Sequence, residues 1–280
     1  LKLSFKNSGP IDGLIKWLKD FSVMSSSLLI EVDTKEQKFV SKAFTIDKAL
    51  VKYSEISFQD CNLELLDSSD NLDGRLNLCI FLMLPKMISV CETFLTTDFQ
   101  MDINFEVNQD VALGPLGTLV SPSINFKSSS LSMRIDEGSP SAFQQLPDQV
   151  FNDSVHIAPA PVSVTITPEM IKNLIAISGI LTGDPKKDFM IFEARQTPEG
   201  GKMFARDKES HYVYDLGNIE GSFNQVSAVI FREKFLLSMK GMLEDVIISI
   251  STSDPSRVLL DTTSGKTKTV ISVSVLDENN

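Results

Sequence analysis

The strongest constraint in this sequence is an order of elements that occurs twice. Each half reads strand, helix, several strands, helix, several strands. In the first half the spacing predicts a helix over 10–24, with Ile11, Leu14, Ile15, Leu18 and Phe21 on one face and Pro10 in the first turn. A second helix follows Pro85, with Met87, Ile88, Cys91, Phe94 and Leu95 on its apolar side. Strand patterns cover 27–32, 38–44, 51–58, 76–84, 100–107, 118–126 and 130–136. In the second half a helix opens at Thr167-Pro168-Glu169, a capping residue followed by proline, and carries Ile171, Leu174, Ile175 and Ser178 in a stripe. A fourth helix is predicted over roughly 231–243, with Phe231, Phe235, Met239 and Met242 in line. Strands are expected at 162–166, 188–194, 202–205, 211–215, 227–231, 246–250, 257–261 and 267–275.

Four helices among many antiparallel strands make an α+β chain, with sheets carrying helices on one face. The expected division is a first domain over 1–136, a connector over 137–161 and a second domain over 162–280. The connector is rich in Pro, Ser, Gln and Asp, which suits an extended linker. With 280 residues, 42% of them hydrophobic, the chain can fill two cores.

Several chemistries are excluded by spacing. Ser264-Gly265-Lys266-Thr267 looks like the tail of a phosphate loop, but the glycine such a loop needs five positions earlier is Leu260. The residues on both sides alternate as strands, so Ser264-Gly265 is read as the bend of a hairpin. Asp67, Asp70, Asp73 and Gly74 begin like a calcium loop, but Leu78 stands where the closing Glu belongs. The histidines, His156 and His211, have no cysteine or serine motif beside them, so no catalytic residue is expected. Cys61, Cys79 and Cys91 show no metal spacing and fit a reduced protein. No metal or cofactor is therefore anticipated. No basic-then-apolar leader opens the sequence and its longest apolar run is too short for a bilayer, so the expectation is an intracellular protein with no membrane partner. The net charge of −11 repels nucleic acid on average, so any contact with it must be a local basic patch.

The doubled plan, the acidic total and several local stretches together resemble the DNA sliding clamps, the family of proliferating cell nuclear antigen and the trimeric phage clamps. Residues 11–21 resemble the first clamp helix, in apolar spacing and outward lysines. Residues 229–236 resemble the strand-to-helix passage of a clamp's second domain, residues 248–260 the late strand pair, and residues 276–280 an acidic clamp tail. The resemblance implies two similar domains of clamp fold and a homotrimeric ring, with helices lining a hole threaded by duplex DNA. Residues 130–136 of one subunit would pair with 211–215 of the next. It implies a replication role without chemistry. The ring tethers a DNA polymerase, is placed by a clamp loader, and touches double-stranded DNA without regard to sequence.

On this resemblance the hole-facing cations are Lys16, Lys19, Lys86, Lys172, Arg232, Lys234 and Lys240; a solvated helix face explains each equally well. Partner peptides would dock near Phe44 and Ile46, Leu146 and Val150 of the connector, Pro255, and Val275 or Leu276, where ordinary core packing is the competing reading. The setting would be a host cytoplasm for a phage protein and the nucleus for a eukaryotic one. Two rivals stand beside this. One is a viral processivity factor of the same fold that does not close into a ring. The other is a β-rich virion structural or adhesion protein, against which the four repeated amphipathic helices argue.

Overall fold

The structure is a computed structural model that describes residues 2–45, 50–68, 78–107, 119–136, 162–180, 188–219, 223, 225–239, 242, 244–251 and 257–272. In chain order the first half contains β1 (Lys2–Asn7), α1 (Asp12–Ser22), β2 (Ser27–Asp33), β3 (Lys38–Phe44), β4 (Leu50–Ser57) and β5 (Leu63–Ser68). It continues with β6 (Leu78–Met83), α2 (Leu84–Thr93), β7 (Gln100–Val107), β8 (Leu119–Lys127) and β9 (Ser132–Asp136). The second half contains β10 (Val162–Ile166), α3 (Pro168–Ile180), β11 (Phe189–Thr197), β12 (Gly200–Asp207) and β13 (Val213–Asn218). It ends with β14 (Val226–Phe231), α4 (Arg232–Met239), β15 (Val246–Ser251), β16 (Arg257–Thr262) and β17 (Thr267–Ser272). The α+β class and the doubled order are those the sequence predicts.

The chain divides into two units: residues 1–43 with 54–146, and residues 44–53 with 147–280. Residues 44–53, placed in the first domain by the sequence reading, cluster with the second unit. The connector proposed over 137–161 lies outside the described residues.

In the first unit the strand order runs β3-β2-β6-β8-β7-β1-β5, with β9 also on β8. The pairs β1–β5, β1–β7, β2–β3, β2–β6, β7–β8 and β8–β9 are antiparallel, whereas β6 and β8 run parallel over Leu78–Ile80 and Leu119–Ser121. β8 exchanges this neighbour for β9 from Ser123 onward. Pro122 sits at the exchange. On the other side of β8, Asn104 faces Ser123 while Glu106 faces Val120, so the ladder with β7 is bulged at the same place. A proline has no N–H to give a ladder, and a bulge is where a sheet tolerates one.

Both helices of this unit bury a stripe. Leu14, Ile15, Leu18 and Phe21 of α1 face inward as predicted, and Ile11 is buried at its start. Trp17 joins them: its ring meets Phe21 edge-on at 5.3 Å and its indole N–H donates to Ser54 Oγ at 3.1 Å. Asp12 in the first turn and Lys19 in the last match the helix dipole. Gly13 lies so close to the Asp60 carbonyl that a Cβ there would collide with backbone. Helix α2 begins at Leu84 with Pro85 in its first turn and buries Leu84, Met87, Val90 and Cys91. Two aromatic clusters complete the core, Phe5 with Phe39 and Phe58, and Phe94 with Phe99 and Phe126, with ring centroids 4.8–5.9 Å apart.

The second unit holds two sheets. One runs β10-β15-β16-β17 with residues 50–53 of β4 beside β17; the other runs β13-β12-β11-β14. The pairs β10–β15, β11–β12, β11–β14, β12–β13, β15–β16 and β16–β17 are antiparallel. Strands β16 and β17 form the predicted hairpin. Gly265 turns it at φ 72°, and its N–H donates to the Thr262 carbonyl at 2.8 Å. Leu260 is fully buried in β16, so no phosphate loop exists here. Helix α3 buries Ile171, Leu174 and Ser178, with Ile175 half-buried. Helix α4 is shorter than predicted. Phe231 belongs to β14, where its ring stacks on Phe189 at 4.8 Å, and the helix starts one residue later.

Candidate nucleic-acid interface

The two helices of the first unit turn a polar stripe to solvent. On α1 the exposed positions include Asp12, Lys16 and Lys19, three to four residues apart on one side. On α2 they are Pro85, Lys86, Ser89, Glu92 and Thr93. Lys16 and Lys86 form no ion pair among the described residues. Lys19 does: its Nζ lies 2.7 Å from Oε1 of Glu92, with both side chains about half exposed. Three of the proposed DNA-facing lysines thus share one face, and one is already partnered.

The helices of the second unit differ. On α3, Lys172 is exposed, with Glu169 and Asn173 nearby on the helix; Asn173 Nδ2 donates to the Tyr214 hydroxyl at 3.4 Å. Helix α4 has no exposed residue at all. Arg232 is only 2% exposed and Lys234 only 7%, which removes both from a solvent-facing lining. Arg232 Nη2 pairs with Asp188 Oδ2 at 3.0 Å, and its backbone N–H donates to the Asp188 carbonyl at 2.9 Å. Its side chain thus anchors the start of α4 to the residue preceding β11. Lys240 lies outside the described residues.

Of the partner-peptide positions, Phe44 is half-buried at the end of β3. Ile46, Leu146, Val150, Pro255, Val275 and Leu276 all lie outside the described residues, so the described part of the chain assembles no peptide pocket from this set.

The edge strands are on view in each unit separately. Among the described residues β9 has one partner strand, β8, and β13 has one, β12. Leu131 precedes β9 and is 40% exposed; Val213 opens β13 and is 49% exposed. His211, expected at a strand start, sits in the turn before β13. Its Nδ1 is 3.0 Å from Asp207 Oδ2 and its Nε2 3.2 Å from Glu209 Oε2. Both ring nitrogens face carboxylates, so neither addresses a nucleophile.

Titratable groups elsewhere are structural. Cys61, Cys79 and Cys91 are buried and form no disulfide. Burial pushes Cys91 up to about 12 and Cys61 higher still, which keeps both as unreactive thiols at neutral pH. Among the described residues no group of His, Cys, Asp and Glu could hold a metal ion. Asp102, a residue that sequence reasoning passed over, is buried on β7. Gln100 Nε2 donates to it at 2.7 Å and Ser4 Oγ at 2.9 Å, and Lys2 and Lys127 approach at 3.2 and 3.3 Å. Burial raises its pKa, but these donors outweigh burial and hold the carboxyl below its usual range. Its four partners lie on three strands, a constellation that only the β1-β7-β8 ladder creates.

At the level of sequence, no protein-family model and no curated protein matches the chain. Solved structures do. An A. fulgidus PCNA, bound to the C-terminal region of FEN-1, is similar over 99% of this chain and 100% of its own, with a TM-score of 0.65 at 13% identity. The PCNA2-PCNA3 complex from Sulfolobus tokodaii is similar over 98% and 99%, with a TM-score of 0.59 at 9% identity. The Helicobacter pylori beta clamp, bound to a DNA ligase peptide, is similar over 99% of this chain and 68% of its own, with a TM-score of 0.59 at 12% identity.

Proposed function

We propose that this chain, which has the fold of the DNA sliding clamps, is a polymerase processivity clamp. Three copies close into a ring around duplex DNA, a clamp loader places the ring, and the ring tethers the polymerase while doing no chemistry itself. The observation that carries this reading is the likeness in fold to an archaeal PCNA over 99% of this chain and 100% of that one. The edge strands support it. If β9 of one copy pairs with β13 of the next, a head-to-tail contact forms that closes when the rotation per copy divides the circle. The same pairing hides two edges that would otherwise invite aggregation.

The helix faces support it too. Lys16, Lys86 and Lys172 are exposed cations on long flexible stems, suited to loose phosphate contact and indifferent to base sequence. On a molecule of net charge −11, such contact is weak and sensitive to salt, as sliding requires. Partner peptides bound to the A. fulgidus and H. pylori proteins motivate the same mode of partner capture here.

The test pairs light scattering with a primer-extension assay. A ring runs as a trimer and, with loader, lengthens products on a primed circle. On a linear template with free ends it slides off and the gain falls. A monomer or dimer that stimulates both templates equally makes the protein a non-ring factor of the same fold. No stimulation on either template defeats the proposal.

A further inference from the structure

The Lys19–Glu92 pair carries an inference that rests on this reading. At roughly half exposure on both sides, an ion pair contributes little to stability. It joins α1 to α2 on the very face that carries Lys16 and Lys86, the two cations there without a partner among the described residues. Its effect is therefore on the charge that face presents. Glu92 places a carboxylate 2.7 Å from one of three lysines and cancels its field toward an approaching phosphate. We propose that Glu92 is a brake on DNA affinity. It holds Lys19 in reserve and sets how firmly the first unit grips the duplex.

A sliding protein has a physical reason for such a residue. Each phosphate contact adds counterion release to the binding energy, and each must be broken as the protein moves along the duplex. A lysine that is present but tied gives a face that attracts the polyanion with fewer contacts to break at each step. Asp12, on the same exposed side of α1, lowers the local charge as well, but it forms no ion pair among the described residues. Glu92 is distinguished by its aim at a single lysine.

The experiment measures equilibrium binding of the purified protein to a short duplex between about 50 and 200 mM salt. Four proteins are compared: wild type, Glu92→Gln, Lys19→Ala and the double variant. Glu92→Gln is expected to bind several-fold tighter at low salt. Its log-affinity against log-salt slope should steepen by about 0.9, the increment for one added phosphate contact. Lys19→Ala should change wild-type binding little, and the double variant should lose the gain. Circular dichroism confirms that all four fold alike. If Glu92→Gln leaves affinity and slope unchanged while wild type binds, the inference falls alone. If the gain survives in the double variant, it reflects net charge and not Lys19, and the inference falls again. If wild type does not bind duplex even at the lowest salt, there is no affinity for Glu92 to restrain and the inference falls, while the clamp reading stands or falls on the primer-extension assay.

Discussion

The two units use the same kinds of residue to opposite ends. In the first, lysines on α1 and α2 stand in solvent and the helices bury clean apolar stripes. In the second, Arg232 and Lys234 of α4 are withdrawn from solvent, while Lys172 of α3 stays exposed. A cation on a helix is thus no guide to the surface. What decides its position is how much of the helix circumference is covered. On α1 one side is covered and the charges occupy the other. On α4 no side is free, so the buried guanidinium reaches out to a counter-charge at the margin, Asp188, whose own side chain is part-exposed.

The contrast is sharpest in stability. Phe21 is fully buried among aromatic and aliphatic neighbours, so Phe21→Ala should cost about 4 kcal/mol in urea unfolding. Arg232→Met keeps the volume and removes the ion. Because Asp188 is 39% exposed and can rehydrate, the loss should be roughly 1 kcal/mol or less. If Arg232→Met proves as damaging as Phe21→Ala, the cation is an indispensable part of the second core and the contrast fails. Gly13→Ala falls between them, at about 2 kcal/mol, because the new methyl meets a backbone carbonyl that cannot turn away.

Acid separates the units through Asp102 of the first. Its folded pKa lies below the ordinary carboxylate value, so its contribution is complete above about pH 4 and is lost as pH falls through the folded pKa. Asp102→Asn should remove on the order of 1 kcal/mol at neutral pH and flatten the acid limb of the stability curve below pH 4. An unchanged acid limb would show that Lys2, Lys127 and Ser4 do not favour the charged form. The smallest effects are those on DNA. Lys16→Ala with Lys86→Ala should reduce the salt slope of duplex binding by roughly 1.8, and Lys172→Ala by roughly 0.9. Equal slopes for the two variants would erase the difference between the units in their grip on DNA.

Much of the architecture is legible in the residues themselves. The stripe from Ile11 to Phe21, the proline after a capping threonine at Thr167-Pro168, and the Ser264-Gly265 bend are local signals, and the fold keeps them. The parallel pairing of β6 with β8 was not legible, because nothing in a strand's own alternation names its neighbour. At Phe231 the sequence offers both a strand end and a helix start, because an aromatic fits either, and the structure keeps only the strand end. The site divided in the same way. Lys16, Lys19, Lys86 and Lys172 lie opposite apolar stripes, and periodicity places them in solvent. Burial of Arg232, and the meeting of Lys19 with Glu92, depend on residues distant in the chain.

Pro122 has one more implication. A strand with a two-residue repeat can be threaded one step out of place, and then Ile124 and Phe126 would point away from the hydrophobic interior. On β8 such a misthreading would carry the proline's missing donor into a stretch where the ladder demands a bond. The imino acid works like the notch on a key. The three strands that adjoin β8 change partner or bulge just where its donor is missing, and a shifted frame would forfeit that match.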